Sequence, residues 1–147
     1  MNKILMILVA QSITVSAMAS TTSFVKTVNN GTVAPQYHVS TTCTITGSLV
    51  KILSTGGAIQ FPRPLLKQAK FTKDVPNETV AASLALDAAR APVINHPGPI
   101  GGGVTSYVAN IDAKSVYLSV TSGNIVTTET NSEASKKLLN FMKENCN

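Results

Sequence analysis

The stretch VTSYVANI-DAK-SVYLSVT-SGN-IVTTET, Val104 to Thr130, decides the fold class of this chain. Three runs rich in β-branched residues are separated by two turn-forming triplets, and Val116, Leu118 and Val120 alternate with polar neighbours. This is the pattern of a three-stranded antiparallel meander with one buried face. The first hairpin's register stays open. A two-residue loop sets Ala109 opposite Leu118, a three-residue loop sets Val108 there, and both leave an apolar face.

Working outward, Ser132 or Asn131 can cap a helix running to Glu144, with Glu133 at its positive end and Ala134, Leu138, Phe141 and Met142 as its apolar stripe. Upstream, Tyr37 to Thr46 reads as a strand, with Tyr37, Val39, Cys43 and Ile45 pointing inward, and Leu49 to Leu53 as a second. A second helix spans Glu78 to Ala91, where Val80, Ala81, Leu84 and Ala88 repeat at helical spacing until Pro92 stops it. Leu65 to Phe71 has the composition of two helical turns. On that helix Arg63, Lys67, Lys70 and Lys73 align as a basic face. The expected fold is therefore α+β: an antiparallel sheet of about five strands, ending in the meander, packed by two helices.

The N-terminus carries a different message. Lys3 precedes the apolar run Ile4–Ala10, and Ala17-Met18-Ala19 supplies small residues for processing, so residues 1–19 read as a cleaved signal peptide. Gln11, Ser12, Thr14 and Ser16 interrupt the run too early for a transmembrane anchor. Residues 20–35, rich in Ser, Thr and Asn, read as a flexible N-terminal arm. Residues 36–147 form one globular domain. The expected location is periplasmic or secreted, as a monomer or weak oligomer.

Export gives the cysteines a meaning. Cys43 and Cys146 are the two in the chain, and in an oxidising compartment they predict one disulfide. That bond ties the first inward-facing strand to the last helix.

Composition excludes several function classes. The 147 residues are 13% charged and 5% aromatic, with no Trp. Losing Lys3 with the leader leaves eleven Lys and Arg against seven acids, about +4. Mild basicity with two Arg and few stacking rings does not suit a nucleic-acid binder. The only imidazoles, His38 and His96, have no metal-type spacing, so no metal and no cofactor is expected. Ser48-Leu49-Val50-Lys51 matches S-x-x-K, but a strand there puts Ser and Lys on opposite faces and no K-T-G follows. Asn30-Gly31-Thr32 and Asn77-Glu78-Thr79 fit a glycosylation acceptor pattern, which matters only in a eukaryotic secretory pathway.

The most unusual stretch is His96-Pro97-Gly98-Pro99-Ile100-Gly101-Gly102-Gly103. It reads either as a recognition loop, built from His96, Pro97, Gly98, Pro99, Gly101, Gly102 and Gly103, or as a connector between helix and sheet. The expected function is a non-catalytic binding or inhibitory module using that loop and the basic face, with a protein or anionic envelope polymer as partner. The alternatives are a small hydrolase using His96 with a Ser or acidic partner, and a structural envelope protein.

Overall fold

The computed structural model describes residues 22–56, 65–71, 76, 78–98, 101–112 and 114–147. The leader 1–19, Arg63, Lys73 and Pro99 lie outside the described residues. The fold is α+β, with one antiparallel sheet, two helices and one disulfide. The sheet has eight strands rather than about five: β1 (Thr22–Asn29), β2 (Val39–Thr46), β3 (Leu49–Gly56), β4 (Leu65–Phe71), β5 (Val93–Asn95), β6 (Val104–Ile111), β7 (Lys114–Ser122) and β8 (Ile125–Thr130). Helix α1 covers Glu78–Arg90 and α2 covers Glu133–Asn145. Across the sheet the order is β4-β3-β2-β1-β6-β7-β8-β5.

Three expectations are corrected. The stretch 20–35 contains β1, paired with β2 on one side and β6 on the other, at the middle of the sheet. Lys26 hid its alternation. It stands on the same face as Phe24, opposite Cys43 and Tyr107, where an apolar residue is the norm. A lysine is tolerated there because its stem lies on apolar surface while Nζ reaches the end of α2, donating to the Cys146 carbonyl at 3.1 Å and to Asn147 Oδ1 at 3.3 Å. Leu65–Phe71 is not helical: it pairs with β3 as an edge strand, so backbone pairing overrides the helix propensity of Leu, Lys, Gln and Ala. The helical spacing that aligned Arg63, Lys67, Lys70 and Lys73 therefore does not apply, because strand faces repeat every second residue.

The meander is present, with a register that differs from both expected ones. A two-residue turn pairs Ile111 with Lys114 and Ala109 with Val116, and a bulge then inserts Leu118 as an extra residue between the Val108–Tyr117 and Tyr107–Ser119 pairs. Asp112 makes that turn with φ 52°, a left-handed conformation that Asp tolerates.

Both helices pack on one face, over β1, β6 and β7. Ser132 caps α2 as expected, its Oγ accepting from Ser135 N at 3.0 Å. Leu138, Phe141 and Met142 are buried, and Phe141 meets Phe24 edge to face at 5.8 Å between centroids. Helix α1 turns its alanines inward: Ala81, Ala85 and Ala88 are buried, whereas Val80 is exposed. Small side chains let the helix lie close to the sheet and α2. Cys43 and Cys146 are joined, with Cα atoms 5.7 Å apart. Among the described residues no helix is long and apolar enough to cross a membrane.

Candidate functional site

Two described parts of the Gly/Pro loop, residues 96–98 and 101–103, have fixed neighbours. The short strand β5 lies at one edge of the sheet and β6 near its middle, three places away, so the connection crosses about 14 Å of strand ends. Its described residues bond to β8 at one end and to the β7–β8 turn at the other. His96 N donates to the Thr127 carbonyl at 2.8 Å, and Gly123 N donates to the Gly103 carbonyl at 2.7 Å. A Cβ on Gly102 would stand 2.8 Å from Gly123 N, and one on Gly31 would overlap the Gly102 carbonyl. Three backbones meet here with no room for side chains, which accounts for Gly102 and Gly31 without a ligand.

His96 Nε2 lies 3.1 Å from Glu129 Oε1, within reach for a charge-assisted pair. Both side chains are close to half exposed (42% and 44%), and the pair stands on the surface rather than in a cleft. Glu129 is an acidic partner of the kind the hydrolase alternative requires, while among the described residues no serine hydroxyl bonds to either member of the pair. His38 is exposed, and no cluster of three His, Cys, Asp or Glu side chains occurs among the described residues. Of the expected basic face, Lys67 and Lys70 fall in β4.

Sequence reading missed a groove that the described residues form. Because the helices sit over β1, β6 and β7, the flank formed by β8 and β5 is left open beside the end of α1. The result is a groove of about 410 Å³. Its wall is the end of α1 and the residue beyond it, Ala88, Ala89 and Ala91. Its floor is Val116 and Val120 of β7 with Thr128 and Thr130 of β8, and Val93 of β5 forms the outer edge. Tyr117, 53% exposed, and Lys114 stand at the rim. The volume falls within the ~300–1,000 Å³ of small-ligand sites, and the lining is mostly apolar as those sites are.

The serine and threonine hydroxyls for which bonds are seen in the groove are engaged within the protein. Thr130 Oγ1 donates to the Tyr117 carbonyl at 2.6 Å, Thr128 Oγ1 to Asn95 Oδ1 at 3.2 Å, and Ser115 Oγ to Asn110 Oδ1 at 2.7 Å. The groove thus offers mainly apolar surface, with the Tyr117 phenol and one charged lining group, Lys114, at its rim. The available signals were indirect: the Ala-rich end of α1, which leaves space, and Tyr117, an aromatic on the outward side of an alternating strand.

A second, smaller hollow lies beside the disulfide, bordered by Lys26, Val28, Thr41 and Ile52. Burial, with a smaller contribution from the Lys143 charge, holds the Lys26 ammonium below the usual lysine range. Its Nζ also stands 5.7 Å from the Tyr107 ring centroid. Those contacts explain Lys26 as the fastening of α2's C-terminus, where carbonyl groups carry partial negative charge.

No protein-family model matches the chain, and a search of curated proteins returns no significant relative. The functional reading therefore rests on the groove and its chemistry.

Proposed function

We propose that this protein is a non-catalytic binding module of the periplasm or exterior, and that it takes its ligand in the groove between the end of α1 and the β7–β8–β5 flank. The observation that carries the reading is the groove itself: about 410 Å³, walled by alanine, valine and threonine, and open at its rim. Such a lining holds and desolvates an apolar body, and none of its side chains is an imidazole, thiol or carboxylate that would transfer protons near neutral pH. Two features support the exported location: the signal-peptide pattern of residues 1–19, and the Cys43–Cys146 bond, which persists in oxidising compartments.

A neutral apolar dye, N-phenylnaphthylamine, tests the site. It should bind saturably with one site per chain, and Ala91→Trp, which fills the groove from its wall, should abolish the fluorescence gain while leaving the circular dichroism spectrum unchanged. Non-saturable binding, or full binding by a folded Ala91→Trp variant, would overturn the reading.

A further inference from the structure

We infer that the ligand of this groove is a single-chain amphipathic anion, a free acyl carboxylate whose chain lies over the β7–β8 floor and whose head meets Lys114. This rests on the groove being the binding surface and goes further by naming the occupant's chemistry.

The inference follows from how charge is distributed around the groove. The floor and wall are apolar, which selects a hydrocarbon body. Lys114 is the one charged residue lining it, at the start of β7 where the groove opens. Among the described residues Lys114 has no ion-pair partner, so its ammonium is available. Arg90, in the last turn of α1, is paired with Asp87 at 3.5 Å, so the two side chains together bring no net charge to the end of the adjoining wall. No acidic side chain lines the groove to attract a cation or repel an anion. The hydroxyl hydrogens of Ser115, Thr128 and Thr130 are spent within the protein, which leaves the Tyr117 phenol and the Lys114 ammonium at the rim as side-chain donors, few for a many-hydroxyl ligand such as a sugar. A ligand with one anionic head and an apolar chain matches every part of this lining.

The test is displacement of N-phenylnaphthylamine by three probes of equal chain length: decanoate, decanol and decylamine. Decanoate should displace the dye at about tenfold lower concentration than decanol, the gain of one charge-assisted hydrogen bond at a partly exposed site. Decylamine should be the weakest of the three. Lys114→Met should cost decanoate about that tenfold advantage and leave decanol within about twofold of its original value. Equal displacement by decanoate and decanol, or tighter binding of decylamine, would overturn the inference while the groove stands as an apolar site. Failure of all three, together with dye binding that Ala91→Trp does not change, would remove the groove as well. Because decanoate and decanol are compared on the unaltered protein, the test does not depend on how the variant folds.

Discussion

Replacing both cysteines by alanine tests how the two ends of the chain are held. The bridged residues are 103 positions apart, and both are buried, at 3% and 6% exposure. Closing a loop near that length removes denatured-state entropy worth about 4.7 kcal/mol. Two sulfur atoms lost from a packed site add about 1 kcal/mol of lost contact, since Cys43 lies among Phe24, Ile45 and Ile52 in the core. Small domains have about 5–15 kcal/mol in all, so Cys43→Ala/Cys146→Ala should lose a third or more of its stability. Urea unfolding followed by circular dichroism measures this, with the wild-type protein reduced by dithiothreitol as the partner experiment. The reduced wild type keeps its sulfur atoms and isolates the loop entropy; the double alanine variant adds the packing loss. The last turn of α2, where Cys146 N donates to the Met142 carbonyl at 2.9 Å, should lose amide-exchange protection first. A stability loss under about 1 kcal/mol in both experiments would refute the idea that the bond holds the fold by joining its ends.

Two further outcomes follow from local geometry. Gly31→Ala should destabilise by about 2–4 kcal/mol, because φ 77° is strained for alanine and the new Cβ would overlap the Gly102 carbonyl. Gly47→Ala, at φ 53° with nothing within 4 Å, should cost only about 1–2 kcal/mol, and equal midpoint shifts for the two would contradict the packing argument. Lys26 sets a pH dependence. Its ammonium titrates below the ordinary lysine value of 10.5, so its contribution is full above that value and is lost as pH falls through the lower folded-state pKa. The melting temperature of wild type relative to Lys26→Met should therefore rise with pH over this range. Burial pushes the Tyr107 hydroxyl up, keeping the ring beside Lys26 neutral meanwhile. A difference that is flat with pH would show that Lys26 titrates as an ordinary surface lysine.

What the sequence revealed depended on how local the cause was. Helix α2 was legible because its cap, charge placement and stripe all lie within Ser132–Asn145. The meander was legible from alternation and turn residues, and the disulfide from the cysteine count together with the expected export. Strand β1 was obscured by Lys26, whose inward position makes sense only beside the end of α2, 120 residues away. Strand β4 was obscured because its pairing with β3, not its own composition, determines its conformation. Strand β5 has three residues between Pro92 and Pro97, too few to show a period. The groove had no signature of its own. It exists because α1 stops short of the β8–β5 flank, a relation between Ala88–Ala91 and residues 114–130 that no single segment encodes.

The β1–β6 pairing has one more consequence. Strands β1–β4, within residues 22–71, form one half of the sheet and strands β5–β8 the other, so the backbone links the two sets of strands once, between Phe71 and Glu78. The Cys43–Cys146 bond passes between them a second time. A protease cut in that single crossing would leave a two-chain protein, intact on a non-reducing gel and separable on a reducing one. From then on the thiol state of its surroundings, rather than the peptide chain, would govern whether the halves remain one molecule.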